Sequence, residues 1–214
     1  LELPPTSGLP LMIKDIIIYF KEYFDHIDNI AEYGGLFDIF DRFRILCALR
    51  HGPYGVIEIN RLCEEMLYRE GAISVQEPFY PGRPVMITTN DYAMKLFNGD
   101  TGFILPDPER EGGLSAFFRN PNGGLRRFSP LRLPGHETLY AMTVHKSQGS
   151  EFDHVFLILP DYDAPVLTRE LIYTAVTRTR KTVTVLGRKD IFVGAVSRRL
   201  KRSSGLRDAL DTVC

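Results

Sequence analysis

With 214 residues, 44% of them hydrophobic and 25% charged, the chain suits one large globular domain or one domain carrying a small insertion. No apolar run approaches the roughly 18 uncharged residues that a membrane span requires, and the opening LELPPTSGLP has no charged stretch followed by an apolar one, so a soluble cytoplasmic protein with no membrane partner is expected. A formal net charge of −1 excludes a globally basic nucleic-acid binder, and Cys47, Cys63 and Cys214 are too few and too scattered for a metal knuckle or a disulfide framework.

Ile16, Phe20, Tyr23, Phe24, Ile27, Ile30 and Ala31 recur at three- and four-residue steps, which predicts an amphipathic helix over 15–31. A strand is expected over 44–49, a turn at Arg50-His51-Gly52-Pro53, and then a helix carrying Ile57, Leu62, Cys63, Met66 and Leu67. From Gly82 the texture changes to short apolar runs, 85–87, 102–105, 116–118 and 125–128, separated by Gly, Pro and Asn, with Asn122-Gly123 as a turn signal. These runs predict a small all-β insert over 100–135.

The pattern then reverts: strands over 139–144, 155–159 and 183–186, a helix over 170–177, and a last helix capped by Asp190 and running to Leu200. Alternating strands and helices imply an α/β fold, a parallel sheet with helices packed on it. Charge is uneven. From Gly112 to His136 there is no acid, while Arg119, Arg126, Arg127 and Arg132 are present, and Arg198, Arg199, Lys201, Arg202 and Arg207 cluster near the end. Each cluster reads equally as a solvated face or a phosphate-binding surface.

Two stretches concentrate chemistry. In Thr143-Val144-His145-Lys146-Ser147-Gln148-Gly149-Ser150-Glu151-Phe152, small, polar and charged groups crowd the end of a strand. The Thr143 and Ser147 hydroxyls, the His145 ring and Lys146 can all donate to phosphate, and Gly149 admits close backbone approach. An ordinary loop with a capping hydroxyl fits as well. In Arg169 to Lys181, Leu171, Ile172, Ala175 and Val176 face a core by spacing and leave Arg178 near a helix C-terminus. There the helix dipole favours a cation whether or not it has a further role.

TVHKSQGSEFDHV and ELIYTAVTRTRK resemble motifs V and VI of superfamily 1 helicases, in the spelling of the RecD group. ILCALRHGPYGVIEINRL resembles that group's motif IV region, PGRPVMITTNDYAMKLFNGDTGFI the segment leading into its SH3-like insert, and RLPGHETLYAM the approach to motif V. The likeness covers residues 40 to 207 in the family's order.

The resemblance implies a RecA-like second motor domain (41–99 and 136–207), an SH3-like β-barrel insert (100–135), a helical lead-in (1–40) and a tail (208–214). It implies an ATP-dependent five-prime to three-prime DNA helicase, with ATP and Mg2+ as cofactors and single-stranded DNA, RecB and RecC as partners. Arg178 matches the motif VI arginine finger, Glu151 the acid near the nucleotide sugar, Gly149 the glycine beside it, and Arg50 the motif IV arginine. Thr143, His145 and Lys146 match motif V positions facing DNA; Asn90 and Asn98 fit either further DNA contacts or turn formation. Thr179 departs from the alanine that many members carry. No glycine is followed by lysine and no Asp-Glu pair occurs, so the phosphate loop and the magnesium carboxylates have no counterpart here. The expected reading is therefore a fragment that cannot hydrolyse ATP alone and has no metal site of its own. A nuclease reading has little support because the acids are scattered; a non-catalytic DNA-binding or subunit-interaction scaffold is the remaining alternative.

Overall fold

The computed structural model describes residues 9–29, 33–74, 78–110 and 112–199. The chain opens with α1 (Leu9–Ile17), which passes through a 3-10 turn over Ile18–Phe20 into α2 (Lys21–Asp25); α3 (Tyr33–Phe40) follows. The predicted single helix over 15–31 thus begins earlier and is broken. Its apolar spacing still holds, since Ile16, Phe20, Tyr23 and Ile27 are buried, while Ile30 and Ala31 lie outside the described residues. Helix α3 was not expected, because Gly34-Gly35 interrupts a short segment whose helical positions are set by burial of Tyr33, Leu36, Phe37 and Phe40.

Next come β1 (Phe43–Cys47) and α4 (Val56–Arg69), then β2 (Arg83–Ile87), β3 (Thr101–Pro106), β4 (Leu114–Arg119), β5 (Leu125–Phe128) and β6 (His136–Thr138). The chain continues through β7 (Ala141–Thr143), β8 (Phe152–Ile158), α5 (Arg169–Val176), β9 (Thr179–Leu186) and α6 (Lys189–Ser197). Two sheets result: a four-stranded one in the order β7-β1-β8-β9 and a five-stranded one in the order β5-β4-β3-β2-β6. The first is parallel throughout. The second is antiparallel throughout.

The expected α/β architecture with an inserted β unit is present, but the antiparallel sheet runs from Arg83 to Thr138 and is wider than 100–135. β2 belongs to it because Val85 pairs with Gly102 on one side and Thr138 on the other, two partners that lie far apart in sequence and carry no local signal. The strand expected over 139–144 is likewise divided. β6 lies in the antiparallel sheet and β7 in the parallel one, joined by Leu139 and Tyr140 alone. Leu139 is hydrogen-bonded into both: its N–H donates to the Pro84 carbonyl at 3.0 Å, and its carbonyl accepts from the Arg44 guanidinium at 2.9 Å. Asp190 sits in the first turn of α6 and ion-pairs with Arg188, the residue that takes the N-cap position, so it is not the cap itself. Leu200, Lys201, Arg202, Arg207 and the tail 208–214 lie outside the described residues.

The three central strands of the antiparallel sheet, β2, β3 and β4, are buried on both faces, which explains their near-continuous apolar runs. Met86, Phe103, Leu105 and Phe117 join the main core, whereas Val85, Ile87, Ile104, Ala116 and Phe118 form a second, smaller one with Leu96. Phe103 carries the first of these contacts, its ring lying 4.5 Å from Phe37, 5.0 Å from Phe40 and 5.1 Å from Tyr23. Two tyrosines add polar staples: Tyr23 donates to the Gly82 carbonyl and Tyr33 to that of Pro106. Gly102 is required by close approach, since a Cβ there would lie 2.6 Å from the Phe117 carbonyl oxygen.

Insert arginines are matched by acids brought in from elsewhere. Arg119 pairs with Asp38, and Arg127 with both Asp107 and Glu109, while Arg126 donates to the Lys95 carbonyl at 2.6 Å. Burial alone would raise the Asp107 carboxyl, but hydrogen bonds from Ser115 and the Glu109 N–H, with the Arg127 charge, outweigh it and hold the group below the usual carboxylate value. A depressed folded pKa contributes stability above the unfolded value of about 3.9, lost as pH falls through the folded one. The stability gap between wild type and Asp107→Asn, followed by denaturant unfolding, is therefore expected to narrow as pH falls from about 5 to about 2. A gap constant across that range would remove Asp107 from the acid response.

Candidate nucleotide and nucleic-acid sites

The predicted site residues gather at opposite ends of the parallel sheet. Strand β7 is placed first. It lies at the sheet edge, and the buried Asn60 of α4 replaces a neighbouring strand: its amide donates to the Ala141 carbonyl at 3.0 Å and accepts from the Ala141 N–H at 2.8 Å. Thr143 thereby comes level with Cys47 of β1. Residues 144–151 then carry the chain back across β1 to start β8 at Phe152.

At the start of β8 and β9, the end of α5 meets that crossing loop. Thr168 caps α5 through its hydroxyl, which accepts from the Leu171 N–H, and the helix ends at Thr177. Arg178 follows directly, and the Phe152 N–H donates to its carbonyl at 2.8 Å. Its guanidinium donates to three neutral oxygens: the Thr174 carbonyl at 3.3 Å, the Ser150 carbonyl at 3.2 Å and the Thr177 hydroxyl at 3.3 Å. Neutral acceptors fix the group without quenching its charge. Gly149 reaches this place with φ +88 and open space around its Cβ position, so the turn itself, rather than a neighbour within the chain, demands glycine. Glu151 is exposed and accepts from Arg180 at 3.1 Å.

Beside them lies a polar cleft of about 260 Å³, lined by Asp41, Arg44, Thr101, Glu151, Phe152 and Arg180. That is below the roughly 300–1,000 Å³ of ligand pockets that are complete within one domain. Arg44 forms its floor, fully buried between the rings of Phe40 and Phe152 at 4.2 and 4.9 Å and paired with Asp41 at 3.0 Å. Burial lowers its pKa to about 10, against the opposing charge of Asp41, so it stays cationic at neutral pH. A larger hollow of about 640 Å³ between α1, α2 and the end of α4 touches none of the motif residues.

At the far ends of β1 and β7 sit Arg50, Thr143, His145 and Lys146. The Thr143 hydroxyl accepts from the Lys146 N–H at 3.3 Å, and buried Ser147 donates to the Val144 carbonyl at 2.7 Å, so the turn is fixed and His145 is left exposed. Arg50, expected with the nucleotide residues, lies here instead. It and Lys146 converge on one carboxylate, that of Glu137 in β6, at 3.0 and 2.7 Å. The motif spelling gave no sign of this, since Arg50 follows β1 and its neighbours are set by strand order, not sequence distance.

Asn90 and Asn98 are exposed, and the Asn90 side chain accepts from the Asn98 N–H at 2.8 Å across their loop, which is the turn-forming geometry. Sequence reasoning missed Glu137, Asn60 and Arg44. Glu137 alone left a signal, as the first acid after the acid-free arginine-bearing run. Among the described residues no group of His, Cys, Asp and Glu is arranged to hold a metal ion, and no helix is long and apolar enough to cross a membrane.

Residues 138–186, which carry β7, β8, α5, β9 and both of these loops, match the family described as UvrD-like helicase C-terminal domain. Within that class, the chain is a homologue of the RecD subunit, matching its C-terminal portion. It is 44% identical over 172 residues to the RecBCD enzyme subunit RecD of Mycobacterium tuberculosis, covering 80% of this chain and 29% of that one. It is 37% identical over 174 residues to the RecD subunit of Haemophilus influenzae, covering 80% and 26%. Against the ATP-dependent RecD2 DNA helicase of Deinococcus radiodurans the figures are 31% over 171 residues, 78% and 23%. The chain thus spans less than a third of these relatives' length. A solved structure of Pif1 helicase from Bacteroides in complex with ADP-AlF3 and ssDNA aligns at 16% identity and a TM-score of 0.47, over 91% of this chain and 53% of that one.

Proposed function

We propose that this chain is the second motor domain of an ATP-dependent five-prime to three-prime DNA helicase acting in a RecBCD-type complex in the bacterial cytoplasm, with RecB and RecC as protein partners. The observation that supports it most is the bond from Arg178 to the Ser150 carbonyl, which joins the end of α5 to the loop whose Ser150 and Glu151 line a small polar cleft. In this reading a first motor domain supplies the phosphate loop and holds Mg2+, ATP enters between the two, and Arg178 places its guanidinium beside charge developing on the transferring phosphoryl group. Glu151 and Gly149 border the nucleotide, with Arg180 paired to Glu151 and the buried Arg44 paired to Asp41 behind them. By itself the chain turns over no ATP, because the phosphate loop lies elsewhere.

At the other end, Thr143, His145 and Lys146 contact the backbone of single-stranded DNA, and Arg50, which shares the Glu137 carboxylate with Lys146, acts with them rather than at the nucleotide. Asn90 and Asn98 act by shaping their loop, and the antiparallel sheet serves as the SH3-like module. The test is unwinding by the full-length protein: ATP-dependent strand separation is expected from duplexes with a five-prime single-stranded tail. Unwinding confined to three-prime tails would overturn the polarity, and none from either would overturn the motor reading. The scaffold alternative draws on one observation, that Arg178 also ties the end of α5 to the crossing loop.

A further inference from the structure

The Glu137 carboxylate stands among residues proposed to hold DNA, and its charge is the wrong one for gripping a polyanion. Arg50 and Lys146 each take one of its oxygens, Oε2 at 3.0 Å and Oε1 at 2.7 Å. Two oxygens on one centre, one received by a guanidinium and the other by an ammonium, is also how a backbone phosphate would sit between these side chains. The three groups come from different places: Arg50 follows β1, Lys146 follows β7, and Glu137 lies in β6 of the antiparallel sheet.

The pairs are partly buried and reach solvent chiefly on the Arg50 side. Arg50 is 46% exposed, Lys146 28% and Glu137 20%, so a strand can reach both cations. A phosphate that takes over the contacts of Arg50 and Lys146 replaces the charge-assisted bonds that the carboxylate gives up. The exposed His145 and the Thr143 hydroxyl stand on the same turn as Lys146, on the path the strand would take.

We propose that Glu137 is a built-in competitor of the DNA backbone: it holds Arg50 and Lys146 ready while the track is empty and is displaced by a phosphate of the single strand. This rests on the assignment of the Thr143 to Lys146 turn to DNA and adds a regulator to it. A motor that steps must release each phosphate it grips, and an internal anion that reclaims the two cations speeds that release.

The test is equilibrium binding of a fluorescent oligothymidine to the full-length protein and its Glu137→Gln variant across a salt series. Removing one negative charge is expected to tighten binding by about threefold or more at low salt, with the advantage shrinking as salt screens the site. It should also slow dissociation. Arg50→Ala with Lys146→Ala in the Glu137→Gln background should abolish the gain. Equal or weaker binding by Glu137→Gln would overturn the proposal, making Glu137 a positioning group for the two cations. If Glu137→Gln fails to fold, Glu137→Asp, whose shorter side chain reaches the cations less well, is expected to bind more tightly than wild type, and weaker or equal binding by it counts against the proposal in the same way. His145→Ala and Thr143→Ala separate the two readings. Weakened binding by these variants without tightening by Glu137→Gln sinks only the competitor role, whereas unchanged binding in both sinks the DNA assignment itself.

Discussion

Arg178→Ala in the full-length protein is expected to lower ATP turnover by about 10³-fold or more, while its affinity for single-stranded DNA stays within about threefold. The size follows from when the guanidinium acts: it meets charge that exists only in the transition state, so its removal raises the barrier without weakening ground-state binding to the same degree. Arg178 is already fixed. Its three neutral acceptors hold the fork in place, and none of them cancels its charge. Lysine lacks the planar fork that reaches those oxygens together, so Arg178→Lys is expected to recover little. Losing the bonds to Thr174 and Ser150 also costs about 1 kcal/mol of stability, which a melting curve separates from the kinetic effect. Unchanged turnover with a lowered melting temperature would leave Arg178 a purely structural clasp and favour the scaffold reading.

Phe103→Ala is expected to destabilise the fold by about 3–5 kcal/mol, a large share of the roughly 5–15 kcal/mol typical of a domain. Phe103 is buried among Tyr23, Phe37 and Phe40, and so joins β3 to both α2 and α3. Its removal opens a cavity at a place where three elements meet, and strand neighbours on both sides limit collapse into it. Phe103→Leu, which keeps most of the volume, should lose much less. Denaturant midpoints read the difference directly. A loss below about 1 kcal/mol for the alanine variant would mean that the helices and the antiparallel sheet do not support one another as this packing implies.

The parallel half was legible because its strands carry short apolar runs and its loops carry ordered motifs, but β8 and β9 begin at Phe152 and Thr179 rather than at the expected 155 and 183, because the polar residues near the start of each strand, beside Glu151 and Arg178, hide the strand starts. What escaped depends on contacts between distant segments. Tyr33 to Phe40 has weak helical propensity and is held in α3 by aromatic packing against Phe103 and Phe117. The extent of the antiparallel sheet turns on the pairing of β2 with β6, separated by the whole insert. The motif places Arg50 with the nucleotide, yet strand order carries it to Glu137 and Lys146. The insert arginines form an acid-free run in sequence, but folding brings Asp38, Asp107 and Glu109 to them from outside it. Charge along a chain is therefore a poor guide to charge on a surface.

Leu139 carries one further meaning. Its amide is committed to one sheet and its carbonyl to the other, and Tyr140 beside it is buried with its hydroxyl 3.0 Å from that of Tyr80. Both residues are buried and tied by hydrogen bonds to either side, so the two sheets meet through a packed junction rather than a free linker. A swing of the parallel sheet is therefore expected to carry the antiparallel one with it, its far strands sweeping the longest arc, as the tip of an oar does when the handle moves a little.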